Sequence, residues 1–309
     1  MPSIDFNVLP LTGWYPGHML KAGRAMQEVL RLVDLVVELV DARAPAATRN
    51  PRFRDLLQSR PAVIVANKAD LADAEASRRW QAYLEAQGER VVLLDAQHVA
   101  DPGRVVAVWK RIAEEERRAR GATTALTRPV RLMIAGVPNV GKSTLVNGLV
   151  EGRRANVGPK PGVTRQNQWV PLREGVELLD TPGVLWPRIH NKEHELRLGL
   201  VGCIRDEVMG LELLAEFLWV ELSRQPASAV AWGLYDLAAA PPTFETFMES
   251  VARRRGLLRS GGRIDAERTA TAVLKDFREG RLGRLTLELP PAAEPVCPPA
   301  AVAPRNEDE

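Results

Sequence analysis

Cysteine is nearly absent: Cys203 and Cys297 are the only two in 309 residues, and they lie far apart, outside any C-x-x-C pair. That excludes a disulfide framework and a tetrahedral zinc site. Long apolar runs are missing too. The longest, around LVDLVVELVDA, is broken by Asp34, Glu38 and Asp41, so nothing approaches the ~18 residues of a membrane-spanning helix. The opening, MPSIDFNVLPLTG, has neither a basic region followed by an apolar one nor an Arg-rich, acid-free stretch, so no leader or transit signal is read in it. A cytoplasmic location with no membrane partner is the expectation, and no internal repeat is found.

Hydrophobic residues make up 45% of the chain, which suits two ordinary domains with buried cores. The net charge of +3 is unevenly spread, because residues 251–284 hold ten Arg or Lys against four acids, whereas the last 25 residues hold five acids and one Arg. A basic region of that density hints at a polyanion such as nucleic acid, with a solvated helix face as the plainer alternative.

Along the first two thirds, apolar strand patterns alternate with helical ones, which argues a parallel sheet. LVVELVDA, AVIVAN, RVVLLDA and RLMIAG read as strands, and QWVPL with VELLDT reads as a further pair. Helices are expected from near His18, over AEASRRWQAYLEAQ and GRVVAVWKRIAEEERRAR, and from KSTLVNGLV. After about residue 190 only helices are expected, in EHELRLGLVG, VMGLELLAEFLWVELS, TFETFMESVARRRG and DAERTATAVLKDFREG. Beyond Leu289 the chain is rich in Pro and Ala, a composition that suits a disordered tail.

Gly136, Gly141, Lys142 and Ser143 satisfy G-x-x-x-x-G-K-[ST] between a strand and a helix, the context that makes the pattern a phosphate-binding loop. Its cradle runs from Pro138 through Asn139, Val140 and Gly141 to Lys142, Ser143 and Thr144. Backbone N–H groups surround the phosphates, Lys142 adds positive charge, and Ser143 offers a hydroxyl to magnesium. Asp180, in LLDTPG, is a second magnesium anchor, with the Gly183 N–H available to a γ-phosphate. Thr164, in the intervening loop, is placed to close on the metal.

NKAD, residues 67–70, belongs to the same site. The Asp70 carboxylate can accept from the ring N–H and the exocyclic amine of guanine, which adenine cannot return, so GTP is preferred to ATP. Asn67 is expected to brace the base and the phosphate loop, and the Lys68 stem to cover the ring. The Ala96 N–H can meet the guanine carbonyl, while Asp95 departs from the Ser or Asn usual before it. NKAD precedes the phosphate loop in sequence, the reverse of the ordinary order. The expected fold is therefore α/β: a circularly permuted P-loop GTPase domain, a mostly parallel sheet flanked by helices, followed by a smaller all-α helical-bundle domain. Permutation is tolerated because termini and loops lie at the surface. The expected boundaries are 1–192, 193–289 and a tail at 290–309.

The permuted order, together with WYPGHMLKA, VELVDARAPAATRNP, GVPNVGKS and DTPGVLWP, resembles the YlqF/RbgA family of ribosome-assembly GTPases over about residues 12–290. The resemblance implies hydrolysis of GTP to GDP late in maturation of the large ribosomal subunit. It also implies a partner particle of ribosomal RNA and ribosomal proteins, and a C-terminal bundle that contacts the RNA. A monomer is expected.

Val184 stands after Gly183 where Ras-like GTPases carry a water-orienting Gln. The family implicates His18 of PGHM in that role, against a plain helix-buttressing one. Asn139 occupies a position at which related GTPases coordinate potassium, or it simply suits a tight loop. Arg253, Arg254, Arg255, Arg259, Arg263 and Lys275 are the expected RNA-phosphate contacts. The tryptophans, Trp14, Trp169, Trp186, Trp219 and Trp232 among them, read as packing residues. Two alternatives stay open: a GTP-gated RNA-binding module with incidental hydrolysis, and a GTPase of tRNA modification.

Overall fold

A computed structural model of the protein describes residues 4–12, 29–49, 53, 57, 60–124, 126–150, 169–179, 189–225 and 228–291. Six strands form one sheet: β1 (Leu35–Asp41), β2 (Ala62–Asn67), β3 (Val91–Leu94), β4 (Val130–Ala135), β5 (Trp169–Pro171) and β6 (Val176–Leu179). Their spatial order is β3-β2-β1-β4-β6-β5. All neighbours are parallel except β5, which pairs antiparallel with β6 at the edge. Pro171, which has no N–H to give, falls on that edge, where the loss costs nothing. The central strands are near-continuous Val, Leu and Ile because helices cover both faces, and every residue of β1 and β2 is buried.

Register places the carboxyl ends of β1, β2, β3 and β4 along one rim, with Asp41 beside Asn67 and Asn67 beside Leu94. Ligands of open α/β sheets bind at this edge. Both motif loops leave from it, NKAD after β2 and the phosphate loop after β4, and this is what lets a permuted chain keep one site.

Short helix α1 (Pro45–Thr48) follows β1. Next come α2 (Ala74–Ala86), capped by Asp73, whose side chain accepts from Ala76 N, and α3 (Pro102–Ala119), capped by Asp101 with Pro102 in its first turn. Helix α4 (Lys142–Leu149) starts at Gly141 with no side-chain cap, so the orphan N–H groups of its first turn are directed at the loop.

Beyond residue 190 the described chain is helical, as its periodicity implies: α5 (Lys192–Leu200), α6 (Asp206–Met209), α7 (Leu211–Arg224), α8 (Ala229–Leu234), α9 (Phe244–Arg255) and α10 (Ala266–Arg278). The single helix expected over VMGLELLAEFLWVELS is two, separated at Gly210, whose φ of 85° is left-handed. Helix α8 and the Leu258–Ile264 bridge were not legible in the periodicity. One apolar cluster holds residues of a sheet face (Leu35, Val37, Leu132), Trp109 of α3 and residues of the later helical part (Leu196, Phe217, Phe277). The helical part is thus bound to the sheet by shared burial.

The segment after α10 returns along the sheet's helices. Leu285 N donates to Leu71 O at 3.1 Å and Leu287 N to Arg43 O at 2.7 Å. Trp80 Nε1 donates to Glu288 O at 2.9 Å, and Glu288 Oε1 accepts from Ala47 N at 2.9 Å. Residues expected to end the last domain therefore act as a strap. Trp169, Trp219 and Trp232 pack as expected, Trp169 beneath the Arg131 guanidinium at 4.6 Å. Trp14 and Trp186 lie outside the described residues, as do the expected helix start near His18 and all of the tail beyond residue 291.

Candidate functional site

The phosphate loop is shaped by two glycines that no other residue can replace. A Cβ on Gly136 would lie 2.4 Å from Leu39 O, and one on Gly141 would lie 2.2 Å from Asn67 Nδ2, at φ of 157° and 108°. Asn139 also takes a left-handed φ of 61°, a conformation asparagine tolerates better than most residues. Burial lowers the Lys142 pKa to about 8, and its Nζ donates to Gly136 O at 3.0 Å and Val137 O at 2.6 Å. The ammonium lies across the loop it belongs to, where terminal phosphates would compete for it. Ser143 and Thr144 are exposed on the first turn of α4.

NKAD meets this loop directly. Buried Asn67 donates from Nδ2 to Val140 O at 2.8 Å and accepts through Oδ1 from Ala96 N at 2.9 Å. One side chain thus joins the base-reading turn, the phosphate loop and the turn after β3. The Ala96 N–H, expected to reach a guanine carbonyl, is here bonded to Asn67. Lys68, itself left-handed at φ 59°, extends Nζ to Asn139 O at 3.4 Å and to Asp41 Oδ2 at 2.9 Å. Asp70 is exposed beside them. Asp95 forms its own turn: Oδ1 accepts from Gln97 N at 2.8 Å and Oδ2 faces His98 Nδ1 at 2.7 Å. Despite some burial, these bonds hold its carboxyl below the usual range.

Asp41 and Arg43 were missed as site residues. Both are fully buried, and Asp41 takes bidentate bonds from Arg43 (Nε 2.9 Å, Nη2 2.8 Å) while also holding Lys68. Burial alone would raise the Asp41 pKa, but the two cations outweigh it and keep the carboxylate well below its ordinary range. The available signal was Asp41 at the end of the buried strand LVVELVD with Arg43 two residues on, a place where an unpaired charge cannot stand.

The helical part reaches the same loop. Asn139 donates from Nδ2 to Gly202 O at 2.8 Å, and Cys203 is buried beside it with its thiol pushed up to about 12 by burial. His18, Thr164, Asp180 and Gly183 lie outside the described residues, so the second magnesium anchor and the water-orienting position do as well.

Among the basic residues, Arg253, Arg254 and Lys275 are exposed and paired with the exposed Glu249, Asp236 and Glu279, while exposed Arg259 pairs with Asp265, which is itself buried. The exposed pairs contribute little and exchange readily for phosphates. Arg263 is exposed, with no ion pair among the described residues. Arg255 differs, because it is committed to buried Asp276, which also accepts from Tyr235 Oη and Arg281.

Comparison with known proteins places this geometry among ribosome-linked GTPases. A family profile described as 50S ribosome-binding GTPase matches residues 131–209. The Ribosome biogenesis GTPase A of Bacillus cereus is 36% identical over 277 residues, which is 90% of this chain and 93% of that protein. The crystal structure of GNP-bound YlqF from T. maritima superposes with a TM-score of 0.65 at 31% identity, covering 87% of this chain and 98% of that one. The GDP-bound structure of the same protein gives 0.64 at 32% identity, over 86% and 99%.

Proposed function

From the premise that the chain belongs to the ribosome biogenesis GTPase A (YlqF) family, we propose that it hydrolyses GTP as an assembly factor of the large ribosomal subunit. The observation that carries the reading is the 2.8 Å bond between Asn67 Nδ2 and Val140 O. It brings a guanine-selective turn onto a phosphate loop across 73 residues, in the reverse of the usual sequence order.

In this reading Asp70 selects the base and Asn67 fixes the distance between base and phosphates. Lys142 leaves the Gly136 and Val137 carbonyls for the β- and γ-phosphates, with the N–H groups of the loop and of the start of α4 around them. Magnesium, when bound, neutralises charge developing on the transferred phosphoryl group. Ser143, Thr164 and Asp180 would hold it, an all-oxygen set of the kind that ion prefers. The Asn139 side-chain oxygen would face a potassium ion while its nitrogen stays on Gly202. His18 would orient the attacking water and Gly183 would sense the γ-phosphate. Basic side chains of α9 and α10, with Arg259 and Arg263 between them, would contact ribosomal RNA, and we retain a monomer acting in the cytoplasm.

The test is sedimentation with precursor large subunits in the presence of a non-hydrolysable GTP analogue and of GDP, together with turnover measured with and without particles. Co-sedimentation favoured by the analogue, and turnover raised by particles, support the reading. Indifference to nucleotide and to particles overturns it.

A further inference from the structure

Helix α10 ends where three contacts from the nucleotide site arrive. The first runs through charge. Lys68 of NKAD bonds Asp41, Asp41 bonds Arg43, and Arg43 Nη1 donates to Phe277 O at 3.4 Å and Arg278 O at 3.3 Å. The Arg43 guanidinium also lies 5.1 Å from the Phe277 ring centroid. A cation on the last carbonyls of a helix is favoured by the helix dipole, and here the Arg43 side chain that supplies it is buried.

The second contact is steric. Gly280, left-handed at φ 76°, packs so closely on Leu71, the residue after NKAD, that a Cβ would sit 2.6 Å from Leu71 Cδ2. The third begins at the phosphate loop. Asn139 bonds Gly202 O, and the turn carrying Gly202 is clamped by Arg278, whose Nε donates to Leu200 O at 3.0 Å and Nη2 to Gly199 O at 2.8 Å, while Nη1 bonds Asp206 at 2.8 Å. Base side and phosphate side therefore converge on residues 277–280, across 234 residues of sequence in the case of Arg43 and Phe277.

We propose that Arg43 and Arg278 are positioning residues that couple guanine-nucleotide occupancy to the C-terminal end of α10, making that end a sensor of both the base and the phosphates. The coupling rests on the proposed function only in requiring a guanine nucleotide at the site. It needs no contact from the loops that answer to the γ-phosphate, so GDP suffices to engage it. Occupancy draws Lys68 onto the base and Asn139 around the phosphates. Each shift is handed to α10 by a buried or clamped arginine, because packed elements move between discrete arrangements instead of deforming smoothly.

Amide hydrogen exchange on the full-length protein, with and without saturating GDP, tests the proposal, with calorimetry verifying that GDP binds. In the wild type, exchange at residues 277–283 and 199–204 is expected to slow by at least about fivefold, the lower end of ordinary site-to-site coupling. Arg43→Lys keeps a charge against Asp41 but lacks the second amine that reaches α10, and is expected to lose the response at 277–283. Arg278→Lys is expected to lose it at 199–204. GDP binding without any change at 277–283 in the wild type overturns the coupling alone, whether or not the variants fold. A full response in both folded variants also overturns it. Failure of GDP to bind overturns the proposed function and the coupling together.

Discussion

Asn67 donates to Val140 O and, through the other end of the same amide, accepts from Ala96 N. It is buried, so each partner lacks a substitute from water. Asn67→Ala orphans both backbone groups at about 1–3 kcal/mol apiece. Chemical denaturation should register a loss of that order, and GDP affinity should fall at least about tenfold. Full affinity in the variant would remove Asn67 as the brace of the site.

Gly141 faces that amide from the other side. Because an added methyl would collide with Asn67 Nδ2 at 2.2 Å, at a φ of 108° that alanine avoids, Gly141→Ala should abolish measurable nucleotide binding. The fold should survive, as judged by circular dichroism, since the sheet core does not involve this position.

Asp41 balances two cations in a dry setting. Asp41→Asn leaves Arg43 and Lys68 facing a neutral group, and removal of one member of a buried pair typically costs about 3–5 kcal/mol. The sign with pH follows from its depressed folded pKa: the stabilisation is complete above the ordinary carboxylate value of ~3.9 and is lost only as pH falls through the lower folded one. Denaturation midpoints of wild type and variant should therefore differ most at neutral pH and converge in strong acid.

Lys142 gives a pH dependence to ligand affinity. Its pKa of about 8 in the free protein should rise when phosphates surround it, so binding takes up a proton above pH 8. Affinity for GDP should then fall as pH increases from 8 toward 9.5, by at most about tenfold per unit. Calorimetry in buffers of different ionisation enthalpy would reveal the proton directly, and an affinity flat across that interval would contradict the assignment.

How much of this was legible in the sequence depended on how local each signal was. The phosphate loop, NKAD and the capped helices α2, α3, α9 and α10 are encoded within about a dozen residues each, and so they were read. The alternation of strand and helix patterns carried the mostly parallel sheet as well, though not its strand order. Arg43 was not picked out as a site residue because its partners, Phe277 and Arg278, lie at the far end of the chain. The strap at 284–289 escaped for the same reason, its partners Arg43, Ala47, Leu71 and Trp80 lying at the other end of the chain. Gly210 within an apolar helical pattern was passed over although glycine is the residue that permits such a break. Charge counting treated Arg255 like its neighbours, whereas Asp276 beneath it makes it structural.

The central claim is that segments around residues 70 and 142 share one guanine nucleotide. Calorimetric titration of wild type and Asp70→Asn with GTP and with xanthosine triphosphate tests it most directly. An asparagine can donate to the xanthine carbonyl that replaces guanine's amine, so the variant should lose GTP affinity by at least about a hundredfold and gain it for xanthosine triphosphate. Unchanged GTP affinity in Asp70→Asn would contradict the account.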